Sequence, residues 1–314
     1  MSSLSPALVV AGPTGSGKSD LALVLAEWLG GEIMNCDSVQ LYRYLDIGTA
    51  KTPSGQRRGI PHHLIDILNP DQVFTAGDYE RAARVTLGEI ASRGRVPVIV
   101  GGTGFYLRAL LEGLFEGPSR NPEVRERLRR RKPGSLHRLL TRLDPEAAAR
   151  IHAHDTNKLT RALEVRLVTR APITSMYDFN RRPLEGFDVL QIGLDPPREE
   201  LAERIDARCV RMFDAGLVDE VRSILAMGFS ADAKALESIG YRESLLHIQG
   251  EVHLDEAIKL TQAATRQYAK RQRTWFRREP AMNWLLAFGN QCQTIDNAKR
   301  LVSSKINITA KKLP

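Results

Sequence analysis

Gly12-Pro13-Thr14-Gly15-Ser16-Gly17-Lys18-Ser19 decides the fold of this 314-residue chain. An apolar run at residues 7–11 precedes it and a helical pattern at residues 20–26 follows, so the order is strand, glycine-rich turn, helix. Glycines let consecutive backbone N–H groups point into one concavity, and the following helix and Lys18 add positive charge. The stretch is therefore predicted to cradle a polyphosphate, with the Ser19 hydroxyl placed to contact a magnesium ion.

The composition indicates a globular protein, since 42% of the residues are hydrophobic, enough for a packed core. No apolar run approaches the ~20 residues that span a bilayer, so we expect no membrane segment and a cytoplasmic protein. The cysteines, Cys36, Cys209 and Cys292, are odd in number and have no paired spacing. This pattern argues against both a disulfide framework and a zinc site.

The formal charge of +8 is concentrated in one segment. Residues 117–185 hold 16 Lys and Arg against 8 Asp and Glu, whereas the remainder of the chain holds 29 of each. A local basic excess is typical of a surface that binds a polyanion, most often a nucleic acid. The alternative is a solvated charged helical surface.

The pattern along the chain predicts an α/β core, residues 1–116 and 186–290, interrupted by an all-helical basic insertion at 117–185. Composition breaks near Gly117-Pro118, and no convincing strand lies between residues 121 and 170. Residues 291–314 are predicted to be a weak helix or a disordered tail. Further strands are predicted at residues 31–36, 63–68, 95–100, 189–194 and 284–288, and further helices at 76–92, 105–112, 198–228 and 254–278.

The long helix near the end of the chain has a basic face. Spacings of four, three and four residues align four cations, here called the basic stripe: Arg266, Lys270, Arg273 and Arg277. The opposite face carries Ala264, Tyr268 and Trp275, which are predicted to pack. The stripe is predicted to face an anion, although a solvated basic surface gives the same pattern.

Asp37 is the candidate catalytic residue. Nucleoside triphosphatases hold magnesium with an acidic residue, commonly at the end of a buried strand, but here the best buried strand ends in Gly101-Gly102. This departure argues against a mechanical ATPase or a GTPase switch. Asp37 follows the second predicted strand instead, where a carboxylate beside a phosphate cradle suits a general base. A metal ligand or a helix cap is the alternative role.

Eight motifs, in family order over residues 7–286, resemble those of the tRNA dimethylallyltransferases, also called tRNA isopentenyltransferases. They are the glycine-rich stretch above, Asp37-Ser38-Val39-Gln40-Leu41-Tyr42, Asp46-Ile47-Gly48-Thr49-Ala50-Lys51, Pro61-His62-His63-Leu64-Ile65-Asp66, Gly101-Gly102-Thr103-Gly104-Phe105-Tyr106, Arg161-Ala162-Leu163-Glu164-Val165, Ser238-Ile239-Gly240-Tyr241-Arg242-Glu243 and Arg266-Gln267-Tyr268-Ala269-Lys270-Arg271-Gln272.

The resemblance implies a P-loop NTPase-like α/β core with a parallel sheet and an all-helical insertion domain. It also implies transfer of a dimethylallyl group from dimethylallyl diphosphate to N6 of adenosine 37 in tRNA. The stretch Gly12 to Ser19 would hold the diphosphate, with Mg²⁺ at Ser19. Asp37 would be the base, and Lys18, Thr103 and Arg242 would lie near the reacting groups.

The same resemblance implies that the basic insertion and the basic stripe grip the anticodon stem-loop, and that the target adenine is flipped into a pocket. The tRNA contacts would come from Asp37, Ser38, Val39, Gln40, Thr103, Lys158, Arg161 and the basic stripe. We expect the enzyme to act as a monomer. A P-loop kinase for a nucleoside or nucleotide, or a non-catalytic RNA-binding protein, would also carry the phosphate loop.

Overall fold

The computed structural model describes residues 4–115, 117–176 and 181–305. The chain divides into two compact units: Met1–Leu110 with Leu184–Pro314, and Leu111–Pro183. The first unit is built on a parallel sheet, and the described part of the second contains helices and turns without a strand. No described helix is long and apolar enough to cross a bilayer.

The sheet has six strands in the described residues, all parallel, in the order β3-β2-β4-β1-β5-β6. Their bounds are β1 Ser5–Ala11, β2 Glu32–Asn35, β3 His62–His63, β4 Pro97–Gly101, β5 Phe187–Leu194 and β6 Met282–Leu285. The glycine-rich turn follows β1, a central strand whose Ala11 is in register with Gly101 of β4 and Gly193 of β5. The predicted P-loop NTPase-like α/β core with its parallel sheet is confirmed.

The described residues form twelve α-helices. In chain order they are α1 Lys18–Leu29, α2 Ala76–Ser92, α3 Gly104–Glu112, α4 Pro122–Arg129, α5 Pro133–Leu143, α6 Pro145–Arg150, α7 Thr156–Thr169, α8 Arg198–Asp214, α9 Leu217–Ala226, α10 Tyr241–Ile248, α11 Leu254–Phe276 and α12 Cys292–Lys305.

The core of the first unit explains why β1 is an uninterrupted apolar run. Leu8 and Val10 are fully buried and belong to one cluster with Leu21 and Leu25 of α1. Strands of a parallel sheet that are covered on both faces need apolar residues at consecutive positions, as β1 has. Packing of α1 on this strand fixes where the glycine-rich turn lies.

Two strand predictions were wrong in their extent. β3 contains two residues rather than residues 63–68, because Leu64 and Asp66 adopt left-handed backbone conformations, with φ of 55° and 56°, that a strand cannot contain. β6 ends at Leu285 rather than at residue 288. Beyond it the chain turns towards the phosphate loop, where the Gly289 N–H donates to the Ser16 carbonyl at 2.8 Å.

The C-terminal segment begins as a helix, so of the two predictions for residues 291–314 the helix is confirmed as far as Lys305. Ala298 and Val302 are fully buried in the same core cluster as α1. Apolar residues four apart on a helix share one face, which is how α12 attaches to the first unit. Residues 306–314 lie outside the described residues.

The second unit packs around its own core, which includes Leu128 of α4, Leu136 and Leu140 of α5, and Leu159 and Leu163 of α7. The all-helical insertion is therefore confirmed within the described residues of this unit.

A buried carboxylate joins two helices of the second unit. The fully buried Glu164 accepts from Arg125 Nε at 2.7 Å and Nη2 at 2.8 Å, from Arg161 Nη1 at 2.8 Å, and from the Asn121 N–H at 2.8 Å. Burial raises the pKa of this carboxyl, but the hydrogen bonds from Arg125, Arg161 and Asn121 outweigh burial and lower it to about 2.

Candidate active site

The glycine-rich stretch forms the turn between β1 and α1. Gly17 caps the helix with φ of 82° and ψ of 22°, a left-handed conformation that favours glycine. The Lys18 ammonium lies back over the loop and donates to the Pro13 carbonyl at 2.8 Å. The amino end of α1, the loop and the lysine charge therefore lie together, as an anion site requires.

A cavity of about 660 Å³ opens beside this turn, within the first unit. Lys18 and Ser19 line it from α1, Asp37 from the end of β2, and Arg208 from α8. A cavity of this size accommodates a small-molecule ligand. It lies at the carboxyl ends of the strands, where open α/β sheets bind their ligands.

Local hydrogen bonds fix Asp37 at the end of β2. Its N–H donates to Asn35 Oδ1 at 2.9 Å, and its Oδ1 accepts from the Val39 N–H at 2.9 Å. Asn35 is buried and also donates to the Leu64 carbonyl at 2.8 Å. Across the described part of the chain, Asp37 Oδ2 receives no hydrogen bond from another protein group. One carboxylate oxygen is thus held, and the other can accept a proton.

The second glycine-rich turn, after β4, adjoins the Asp37 segment. The Thr103 N–H donates to the Cys36 carbonyl at 3.2 Å, and the Ser38 N–H donates to Thr103 Oγ1 at 3.0 Å. Thr103 and Ser38 therefore lie next to each other, although neither lines the cavity.

Gln272 of α11 joins the two glycine-rich turns. It accepts from the Thr14 N–H at 2.8 Å and donates to the Gly102 carbonyl at 2.9 Å. A Cβ at Gly102 would lie 2.0 Å from Gln272 Nε2, so only glycine allows this approach. The buried glutamine thereby fixes the distance between the phosphate loop and the turn that carries Thr103.

Three arginines of α8 were missed at the sequence level. Arg204, Arg208 and Arg211 line the cavity, and Arg208 Nη1 donates to Thr14 Oγ1 of the phosphate loop at 3.1 Å. Their spacing of four and three residues is the available signal, since it places them on one helix face. The spacing does not show that this face contacts the phosphate loop, because the contact depends on how α8 follows β5.

Burial changes the acid–base properties of two groups here. It lowers the pKa of Lys18 to about 8, although the negative charge of Asp37 opposes this shift. Burial raises the pKa of the Cys36 thiol to about 12, so this cysteine stays neutral near pH 7. A neutral buried thiol is a packing group rather than a nucleophile.

Several predicted site residues form ion pairs and do not line the cavity. Arg242 pairs with Glu243, donating from Nε at 3.0 Å, and does not line the cavity. In the second unit, Arg161 is engaged by Glu164, and Lys158 pairs with Asp155 at 2.7 Å. The place of Arg242 near the reacting groups and the tRNA contacts of Arg161 and Lys158 stay predictions.

The basic stripe is not a uniform free surface. Arg273 and Arg277 both pair with the buried Asp195 at the end of β5, and Arg277 Nη2 lies 2.6 Å from Asp195 Oδ2. Arg266 pairs with Asp206 of α8. Lys270 is exposed. Two of the four cations thus join α11 to β5, which helical spacing alone could not indicate.

The cavity contains oxygen ligands suited to magnesium. Ser19 Oγ and the Asp37 carboxylate both belong to its lining, and hard oxygen donors are the ligands that Mg²⁺ prefers. The described residues contain no group of three or more His, Cys, Asp or Glu side chains that could hold a metal. Mg²⁺ that is bound partly through substrate phosphates needs no such group. The residues present therefore fit a phosphate-bound magnesium ion.

Named relatives are similar to this chain in sequence over most of their length. A tRNA dimethylallyltransferase of Solibacter usitatus is 59% identical over 288 residues, covering 91% of this chain and 94% of the relative. One of Koribacter versatilis is 50% identical over 300 residues, covering 94% and 97%.

Solved structures agree with these relatives. A tRNA isopentenylpyrophosphate transferase of Bacillus halodurans has a TM-score of 0.72 at 34% identity, covering 96% of both chains. A eukaryotic dimethylallyltransferase acting on tRNA has a TM-score of 0.83 at 26% identity, covering 98% of this chain and 81% of that one. The family model described as IPP transferase matches residues 40–279. The chain therefore belongs to the IPP transferase family.

Proposed function

We propose that this protein transfers a dimethylallyl group from dimethylallyl diphosphate to N6 of adenosine 37 in tRNA and releases diphosphate. One observation carries the proposal: a phosphate loop with a charged lysine and a carboxylate with an available oxygen line the same cavity. A family whose named members act on tRNA supports the choice of acceptor.

The donor's diphosphate binds in the loop of residues 12–19. As the C1–O bond of the donor breaks, its electron pair leaves with the diphosphate, and negative charge develops on the bridging oxygen. Lys18 and Arg208 line the cavity, and with N–H groups of the loop they stabilise that charge. Mg²⁺ held at Ser19 would add further charge neutralisation.

The acceptor is an exocyclic amine, which is a poor nucleophile until it loses a proton. N6 forms a bond to C1 of the dimethylallyl group, and Asp37 accepts the proton that N6 releases. The hydrogen-bonded Asp37 Oδ1 orients the carboxylate so that Oδ2 receives this proton. Thr103 and Ser38, hydrogen-bonded to each other, position the segment that carries Asp37.

Adenosine 37 lies inside the anticodon loop, so it must be flipped out of its stack to reach this cavity. The basic insertion holds the anticodon stem-loop through its excess of Lys and Arg over Asp and Glu. The enzyme acts as a monomer in the cytoplasm, where its tRNA substrates are found.

The test is an incubation of the purified chain with labelled dimethylallyl diphosphate and bulk tRNA, followed by nucleoside analysis. The expected product is N6-dimethylallyladenosine, formed only when both substrates and Mg²⁺ are present. A parallel incubation with labelled ATP and nucleosides tests for a kinase. Phosphorylated product without prenylated tRNA would overturn the proposal, and binding of tRNA without either product would favour a non-catalytic RNA-binding protein.

A further inference from the structure

Phe105 is a large aromatic residue that the fold leaves half exposed near the candidate site. It is the second residue of α3, two positions after Thr103, and 50% of its surface is accessible. A single exposed apolar side chain is ordinary in a folded protein. The inference therefore depends on how the ring is held and on what lies beside it.

The ring is held by a chain of specific contacts. Its centroid lies 6.3 Å from that of Trp275, with the planes at 74°, an edge-to-face arrangement that aromatic pairs favour. The Arg108 guanidinium lies 4.5 Å from the Trp275 centroid, and Arg108 also donates to Glu279 Oε1 at 2.6 Å. A ring fixed in this way loses little entropy when a ligand stacks on it.

The position of the ring follows from the turn that carries Thr103. The Thr103 N–H donates a hydrogen bond to the Cys36 carbonyl, and Thr103 Oγ1 accepts one from the Ser38 N–H. Cys36 and Ser38 are the two neighbours of Asp37 in the chain. Two residues of backbone span at most ~7 Å, so the start of α3 keeps Phe105 close to this segment. The nucleotides that flank the flipped adenosine stay joined to it through the sugar–phosphate backbone, which keeps them near this segment.

The chemistry around the ring favours a nucleobase over an apolar partner. Arg271 of α11 is exposed, lies four residues before Trp275 on the same side of the helix, and has its guanidinium 5.7 Å from the Tyr268 ring centroid. Trp275, on the same helix, supports Phe105. Exposed aromatic rings with neighbouring cations are the typical means of binding unstacked bases of single-stranded RNA.

We propose that Phe105 is a stacking platform for the nucleobase adjacent to the modified adenosine in the anticodon loop. The proposal rests on the proposed function. Flipping the target adenosine removes the stacking partner of its neighbour. Phe105 replaces that partner, and the replacement offsets part of the cost of flipping.

The test compares Phe105→Ala, Phe105→Leu and Phe105→Trp in steady-state transfer assays with saturating donor and varied tRNA. Base–aromatic stacking of ~1–3 kcal/mol predicts that Phe105→Ala raises KM for tRNA by roughly 5- to 150-fold, with KM for the donor unchanged. Phe105→Trp should retain the KM of the parent protein. Phe105→Leu should resemble Phe105→Ala, because leucine restores apolar bulk without a π face.

Val85→Ala is the matched control, since Val85 lies on α2 and is 62% exposed. It should leave both KM values unchanged. A fluorescent 2-aminopurine placed next to position 37 of the tRNA should be quenched on binding to the parent protein and less quenched by Phe105→Ala.

The proposal would be overturned if Phe105→Leu matched the parent protein, or if Phe105→Ala left KM for tRNA within twofold. In either case the parent protein would still prenylate tRNA, so the proposed function would stand. A parent protein that prenylates no tRNA would remove both proposals together.

Discussion

Because burial lowers the pKa of Lys18, donor binding should depend on pH. Its pKa of about 8 in the free protein means that the ammonium loses its proton as the pH rises from 7 to 9. A diphosphate binds the charged form, so binding favours proton uptake and apparent affinity falls as the charged fraction falls. That fraction drops from about nine-tenths at pH 7 to about one-tenth at pH 9, so we expect donor affinity to fall roughly tenfold.

Calorimetry of donor binding across this pH range, in buffers of different ionisation enthalpy, measures both the affinity and the proton uptake. Lys18→Arg is the matched variant, because a guanidinium stays charged throughout. Its donor affinity should be lower at pH 7 yet flatter with pH. An equal fall with pH in both proteins would assign the titration to another group.

The substitution Asp37→Asn distinguishes a role of Asp37 as proton acceptor from a role as metal ligand. Asn keeps the shape and one acceptor oxygen but takes no proton at neutral pH. As a general base, Asp37→Asn should bind donor and tRNA within a few-fold of the parent protein, while single-turnover transfer slows roughly a hundred-fold or more.

The measurement is single-turnover transfer across a magnesium series with both substrates saturating. Restoration of the rate by excess magnesium would make Asp37 chiefly a metal ligand. An unchanged rate would remove Asp37 from the mechanism.

At the scale of elements, spacing predicts which face of a helix a residue occupies but not what covers that face. The stripe along α11 was predicted from positions alone, and the helix itself is confirmed. The sequence could not show that Asp195 of β5 approaches Arg273 and Arg277, because that contact joins residues about 80 positions apart. The sequence likewise could not show that Arg208 contacts the phosphate loop, because that contact depends on the pairing of β5 with β1.

Glu164 makes the stability of the second unit depend on pH. Its folded pKa, about 2, lies below the ordinary value of 4.5. The stabilisation is therefore fully present above pH 4.5 and is lost as the pH falls towards 2. Glu164→Gln should destabilise the unit at pH 7 by ~1–3 kcal/mol, because the partly exposed Arg125 and Arg161 lose their charge-assisted hydrogen bonds to the buried carboxylate.

Hydrogen exchange of the α4 and α7 amides in urea measures this local stability. Glu126→Gln is the control, since that glutamate pairs with Arg129 and Arg130 on the surface, with its side chain 41% exposed. Its effect should be much smaller, because water screens a surface ion pair. The difference between Glu164→Gln and the parent protein should narrow below pH 4.5, and a constant difference would contradict the assigned cause.

At the scale of the whole molecule, the sequence predicted the architecture because its strongest signals are local. The apolar run, the glycine-rich turn and the helical pattern around residues 7–26 are contiguous, and the sheet places that strand at its centre. The short β3 was not predictable, because the left-handed backbone of Leu64 and Asp66 occurs at residues that carry no glycine signal. The backbone conformation of the segment after β3 depends on tertiary contacts, among them the hydrogen bond that Asn35 donates to the Leu64 carbonyl.

The charge distribution of the whole chain predicts which residues contact the phosphates of tRNA. The basic excess lies in residues 117–185, and many of those cations are engaged in ion pairs, whereas Arg138 and Arg142 of α5 are exposed. If they contact tRNA phosphates, Arg138→Glu with Arg142→Glu should weaken binding and reduce the slope of log affinity against log salt. Each lost phosphate contact removes about 0.7–0.9 from that slope, so the double variant should lower it by roughly 1.5.

Filter binding of tRNA across a salt series measures this slope. The matched control, Arg222→Glu with Lys234→Glu, changes the net charge equally within the first unit, where these side chains are 56% and 53% exposed. Long-range repulsion alone would weaken binding by both pairs alike, since it depends on net charge. A slope that falls only for the α5 pair assigns the phosphate contacts to the insertion, because counterion release counts local contacts rather than total charge. Equal slopes for both pairs would make the basic excess a solvated surface.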